Sequence, residues 1–263
     1  MKPGITQICM PRQDLQTDLQ HASDTGYEAI ELVFSDTGEP SIDASLSELS
    51  DVKAACQRHG LELCSILPTR KDAGSMLSPH KTERDKRIAI LQRGLEIAEA
   101  LGVDGLLLHP GAVEAGTSYT ETWANFRDAL CELAPEAERR GCSIGVENVW
   151  NKFLLTPLEA RQLVDEVGSP AVGIYIDVAN MVQYGFPEMW IHDLGRRITK
   201  VHVKDFRRRD NAWVQLMDGD VDWPAVMREL RAIGFDGALV SEVGGDEAVE
   251  RETAERIRRI MTL

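Results

Sequence analysis

Eight short apolar runs, each followed by a longer amphipathic stretch, repeat along the whole chain, and this alternation constrains the fold more than any other feature. Parallel strands need crossover connections of a dozen or more residues, usually helical, so the pattern reads as consecutive βα units. The strand candidates are Gly4–Met10, Ala29–Phe34, Leu61–Leu67, Gly105–His109, Ser143–Asn148, Val172–Asp177, Ile198–Lys204 and Gly237–Glu242. Eight such units close into a (β/α)₈ barrel, and 263 residues is an ordinary length for one. The expectation is an α/β protein whose residues 1–263 form a single TIM barrel domain.

Start and stop chemistry supports the helical reading of the intervening segments. Ser45 and Ser47 open a helix that ends at His59-Gly60, Thr156-Pro157 opens one ending at Gly168, and Trp223-Pro224 opens one ending at Gly234. Arg139-Arg140-Gly141 repeats the arrangement of a glycine just ahead of the next strand, as short αβ connections require. The stretch from Pro68 to Lys81 is the least patterned and reads as a mobile lid over the catalytic face.

Charge narrows the partners. With 29 Lys plus Arg against 43 Asp plus Glu, the formal net charge is −14, which repels phosphate backbones and anionic lipid at long range. Nucleic acid and membrane are therefore disfavoured, and a small molecule is the expected partner. The five cysteines, Cys9, Cys56, Cys64, Cys131 and Cys142, are odd in number and widely spaced, which suggests neither a disulfide framework nor a zinc motif. No apolar run approaches the ~20 residues of a membrane span, and the first residues lack a signal-peptide core. These features together point to a reducing, cytoplasmic setting.

Catalytic groups of a βα barrel project from the C-terminal ends of its strands. Strand five ends IGVEN with Glu147, strand six GIYID with Asp177, strand seven carries VHVKD with His202, and strand eight ends ALVSE with Glu242. Taken alone, an acid at a strand end is as readily a helix cap or a salt-bridge partner. Four on consecutive strands converge at one rim. Three hard oxygen donors with one imidazole suit Mn, Mg or Co better than a structural zinc site, although catalytic zinc remains compatible.

The strings LLLHPG at 106–111, GVENVW at 145–150, IDVAN at 176–180, KVHVKDF at 200–206, GDVDW at 219–223 and SEVG at 241–244 together resemble the sugar phosphate isomerase/epimerase superfamily with its xylose-isomerase-like barrel. The resemblance covers nearly the full chain. It implies a divalent metal held by Glu147, Asp177, His202 and Glu242. The two glutamates would also move protons on opposite faces of a ketose whose enediolate the metal stabilises. Asn180 stands where epimerases of free ketoses carry a histidine, which resembles instead the ketose-phosphate 3-epimerase branch; its amide would bond a sugar hydroxyl. Met217 stands where many relatives carry glycine, while Gly219 and Asp222 match.

His109, beside Pro110-Gly111, either touches substrate or packs the rim. Glu31, read as ending strand two, is assigned a structural or loop-orienting role ahead of a substrate contact. Trp123 and Trp150 offer an apolar wall for a sugar face or plain core. Lys204-Asp205 reads as a buried ion pair supporting His202. Phe206 to Arg209 places three arginines at the rim, and the resemblance puts a substrate-contacting arginine six residues after the metal-binding histidine, at Arg208, against a phosphate or sugar hydroxyls. The expected activity is metal-dependent epimerisation of a ketose or ketose phosphate, with a dehydratase of inosose or 3-dehydroshikimate type as the alternative. A homo-oligomer is a further expectation from the resemblance.

Overall fold

The computed structural model describes residues 1–10 and 14–263. Ten strands and eight α-helices follow one another. The strands are β1 (Lys2–Thr6), β2 (Ala29–Phe34), β3 (Glu62–Pro68), β4 (Gly105–Leu108), β5 (Ser143–Glu147), β6 (Val172–Asp177), β7 (Ile198–Val203), β8 (Asp205–Arg207), β9 (Ala212–Val214) and β10 (Ala238–Ser241). The helices are α1 (Leu15–Asp24), α2 (Leu46–Arg58), α3 (Lys81–Leu101), α4 (Tyr119–Arg140), α5 (Pro157–Val167), α6 (Pro187–Leu194), α7 (Trp223–Ala232) and α8 (Glu247–Ile260).

Eight strands pair in parallel as a closed barrel in the order β1-β10-β7-β6-β5-β4-β3-β2, the (β/α)₈ fold that the periodicity predicts. β2 and β6 are buried at every position, as expected of strands covered by helices outside and by barrel contents inside. The helix signals act as read. Ser45 and Glu48 form a reciprocal cap on α2, and the Thr156 hydroxyl accepts from the Glu159 amide at the start of α5. α7 begins one residue earlier in its capping than the sequence suggests, because the Asp222 carboxylate accepts from the Ala225 amide.

Three differences from the sequence expectation concern segments around the catalytic face. Strand one stops at Thr6 and passes into a 3₁₀ turn at Gln7–Cys9, where buried Gln7 accepts from the Val33 amide and donates to Asp18. The segment after β7 is an antiparallel hairpin, β8–β9, whose turn residues include Arg208 and Arg209. The segment from 69 to 80 is anchored at its middle, with Met76 and Leu77 fully covered in the core.

Candidate active site

The barrel's C-terminal rim assembles from β5, β6, β7 and the residue after β10. In-register pairing sets Asp177 beside His202, and the Glu242 amide donates to the Val203 carbonyl. One donor atom from each of Glu147, Asp177, His202 and Glu242 falls within 4.8 Å of all the others. The four residues singled out from sequence thus share one buried pocket.

The strand-end motifs lock each other. Asn148 Nδ2 donates to the Asp177 carbonyl at 2.9 Å, and the Asp177 amide donates back to Asn148 Oδ1 at 2.8 Å. Asp177 Oδ1 accepts from the amides of Ala179 and Asn180, both at 2.9 Å, which fixes the carboxylate and leaves Oδ2 facing the pocket. Asn180 is buried, and its Nδ2 donates to the Asn148 carbonyl at 2.9 Å. Asn148 carries no role in the sequence reading; its signal was a polar residue directly after Glu147.

Below the rim, Glu31 lies within β2 rather than at its end. It is wholly buried and accepts from Thr6 Oγ1 and Tyr175 Oη, each at 2.8 Å. His202 Nε2 approaches Glu31 Oε1 at 3.2 Å, and the Tyr175 ring packs 4.3 Å from the imidazole. Glu31 therefore sets the ring's orientation, and with Nε2–H donated to it Nδ1 is the nitrogen that faces the pocket. Nδ1 is buried without a hydrogen bond, 3.2 Å from Glu242 Oε1 and 3.5 Å from Glu147 Oε1.

Lys204 pairs with Glu242 Oε2 at 2.5 Å and Asp177 Oδ2 at 2.8 Å, not with its neighbour Asp205 as the sequence suggests. Strand alternation points consecutive side chains apart. Asp205 instead accepts from the amides of Phe206 and Met217 at 2.9 Å, from Val221 at 3.3 Å and from Trp223 Nε1 at 3.0 Å. A Cβ on residue 219 would lie 2.0 Å from Asp205 Oδ1, so the match at Gly219 is a steric necessity. Met217 adopts φ +71°, the left-handed conformation that a glycine takes without cost.

The pocket's electrostatics are uneven. Burial pushes Glu147 up to about 7, aided by the Glu242 charge. Burial also raises Asp177. Burial would raise Glu242 as well, but His202 and Lys204 outweigh it and hold the group well below the carboxylate range. For His202, burial pulls the pKa down, yet Glu242 and Glu31 lift it well above its ordinary value. One ammonium cannot satisfy this set. Asp177 Oδ2 meets Lys204 at ion-pair distance without an aligned hydrogen bond, and His202 Nδ1 has none. A buried imidazole nitrogen without a hydrogen bond among three carboxylates fits a divalent cation.

Around the pocket, His109 stands exposed at the end of β4, its Nδ1 accepting from the Gly111 amide at 3.2 Å. The protein packed about its ring and the charge of Arg87 lower its pKa. Trp150 stacks on Trp213 at 5.0 Å and donates from Nε1 to the Asn180 carbonyl. Lys204 Nζ lies 4.9 Å over Trp213, and a cavity of about 300 Å³ opens there beside Glu242. Trp123 sits instead in the helix layer, against Phe153 and Glu166. Arg208 donates from Nε to the Val182 carbonyl at 2.6 Å and from Nη2 to the Gly185 carbonyl at 2.9 Å, with its guanidinium over Phe186.

A family model described as the xylose isomerase-like TIM barrel matches residues 19–262. The chain belongs to this family. Within the xylose isomerase-like barrels, it is 30% identical over 192 residues to the 2-epi-5-epi-valiolone 7-phosphate 2-epimerase of an Actinoplanes strain, covering 70% of this chain and 65% of the relative. It is 21% identical over 253 residues to the L-ribulose 3-epimerase of Mesorhizobium japonicum, covering 93% and 80%. Among solved structures, that of a D-tagatose 3-epimerase-like protein superposes with a TM-score of 0.84 at 21% identity, covering 100% of this chain and 97% of the other. Among the described residues, no helix is long and apolar enough to cross a membrane.

Proposed function

We propose that this xylose isomerase-like barrel is a divalent-metal-dependent epimerase of ketoses or ketose phosphates, acting at the carbon beside the carbonyl. The observation that carries the reading is the convergence of Glu147, Asp177, His202 and Glu242, with His202 Nδ1 buried and without a hydrogen bond. These four residues would hold the metal. When bound, the ion polarises the carbonyl and stabilises negative charge on the substrate oxygens as the adjacent C–H proton leaves.

The chain's own part is proton transfer and orientation. One glutamate accepts the carbon-bound proton, and the other delivers a proton to the opposite face, so the configuration inverts and nothing is lost from the substrate. In the absence of metal the two differ, Glu242 held ionised and Glu147 pushed up to about 7. Glu242 as base with Glu147 as acid serves one direction, and reversed roles serve the return. His109 and Asn180 Oδ1 supply polar contacts to substrate hydroxyls, and Arg208 Nη1, which has no hydrogen bond among the described residues, supplies a further donor. Trp150 and Trp213 offer an apolar face to the sugar. The free cysteines accord with a reducing, cytoplasmic setting.

The test uses metal-stripped protein reloaded with Mn, Mg, Co or Zn and incubated in D₂O with ketoses, their phosphates and inososes. The expected product is the epimer, carrying deuterium at the inverted carbon and formed only with metal. A dehydrated product would replace this reading with the lyase alternative.

A further inference from the structure

Among the described residues, Arg87 is a buried charge without a counter-ion. It projects from the second turn of α3, it is 4% exposed, and no carboxylate pairs with it among the described residues. Its Nη1 donates to the Pro68 carbonyl at 3.2 Å and its Nε has no partner at all. A buried guanidinium without a counter-ion is costly. In a chain with 43 acids against 29 Lys plus Arg, a structural partner was easy to supply, so its absence calls for a reason.

Position gives the reason. Pro68 is the last residue of β3 and lies at the catalytic end of the barrel. Gly94, two turns after Arg87 on the same face of α3, has no room for a side chain: a Cβ there would come within 2.6 Å of Pro68 Cγ. The close approach of helix to strand end delivers Arg87 to the rim. β4 pairs beside β3, and His109, at its end, feels the Arg87 charge. Glu147 ends the next strand, β5, and Asp177 and Glu242 stand farther round the rim, both already paired with Lys204. Arg208 has its guanidinium on two backbone carbonyls.

We propose that Arg87 is the anion subsite of this active site and receives the phosphate monoester of a phosphorylated ketose, between the ends of β3 and β4. This inference rests on the epimerase reading and selects the phosphorylated substrate class within it. A dianionic phosphate supplies the missing counter-charge, and the planar fork of arginine matches two of its oxygens. The subsite stands at the ends of β3 and β4, across the barrel from Glu242 and one strand away from Glu147, where the distal end of an extended sugar reaches while its carbonyl end stays at the metal ligands.

Two measurements test it. In the first, inorganic phosphate is titrated into the wild-type protein, Arg87→Met and Arg87→Lys, with thermal unfolding as the readout and chloride at matched ionic strength as control. Phosphate should raise the wild-type melting temperature, fail to raise that of Arg87→Met, and act weakly on Arg87→Lys, which folds with its charge kept. Equal stabilisation of all three, or none of the wild type, overturns the proposal. In the second, kcat/KM is compared on a ketose and its phosphate ester. Arg87→Lys should lose at least tenfold more on the ester than on the free sugar, mainly through KM; equal losses overturn the proposal. The phosphate titration needs no turnover, so a protein that binds phosphate through Arg87 yet epimerises nothing would sink the epimerase reading and leave the anion subsite standing.

Discussion

The barrel strands from β5 to β10 end in, or within one residue of, an ionisable side chain turned into the pocket, and local hydrogen bonds hold those side chains still. Asp177 is braced by two amides and a carbonyl–amide exchange with Asn148, and His202 by Glu31. The strands from β1 to β4 end differently, at Thr6, Phe34, Pro68 and Leu108, and the segments after β3 and β4 carry His109 and lead to Arg87. One side is dense in fixed negative charge; the other carries Arg87, buried with no carboxylate partner among the described residues. Chemistry that every substrate shares needs rigid acids at a fixed spacing. Recognition of what distinguishes one substrate from another can be carried by residues of the connecting segments rather than by those acids.

The sharpest way to break this division is to neutralise the acids. Glu147→Gln and Glu242→Gln should each lower kcat by about 10²–10⁴-fold on free and phosphorylated ketose alike, because an amide keeps the shape and loses the basicity. Metal content must be measured on each variant, since both residues also sit among the proposed ligands. A metal-loaded variant with full turnover and undiminished solvent-deuterium exchange would remove that glutamate from proton transfer. A loss confined to the phosphate ester would show that the acid-rich half also selects substrate.

A smaller effect concerns pH and the metal. Glu147 holds its proton up to about 7 and His202 holds its own to well above the ordinary imidazole range. Both must release protons to become ligands, so raising the pH favours metal binding. Below 7 two protons leave per ion bound and apparent affinity should rise about a hundredfold per pH unit; above 7 only the His202 proton remains and the slope should fall to about tenfold. Metal titrations at a series of pH values read these slopes directly. A flat profile would mean that the four residues are not bound as a set.

Much of this arrangement was legible in the sequence, and the division between what was and was not has a physical basis. Alternation of apolar runs and amphipathic stretches carries the barrel, because period 2 and period 3.6 are local properties of the chain. The four pocket residues were legible because barrel topology forces strand ends to one rim. Glu31 left a signal that was misplaced: an acid inside the run AIELVF, which reads as fully buried, has to face the barrel interior and find donors there. The partners of Lys204 and the four bonds of Asp205 depend on which face each residue takes after β7, where a hairpin interrupts the βα rhythm. Arg87 was illegible. Its position depends on how closely α3 approaches β3, which Gly94 permits but no periodicity announces.

The mildest test touches the wall of the acid-rich half without touching its chemistry. Met217 holds φ +71° because the Asp205 carboxylate takes its amide at 2.9 Å, within the same turn that forces residue 219 to be glycine. A left-handed conformation costs an L-residue roughly 1–2 kcal/mol, and a glycine avoids that cost while losing about 0.5–1 kcal/mol more chain entropy on folding. Met217→Gly should therefore stabilise the protein by up to about 1 kcal/mol, an increase of about 2–4 °C in melting temperature at most for a chain of this size. The methionine side chain is 37% exposed and its sulfur accepts from Arg259 Nη2 at 3.6 Å, so little packing is forfeited. A clear drop in melting temperature would show that this contact outweighs the backbone strain, and that the turn bracing the rim beneath Lys204 is held by the Met217 side chain as well as by the Asp205 carboxylate.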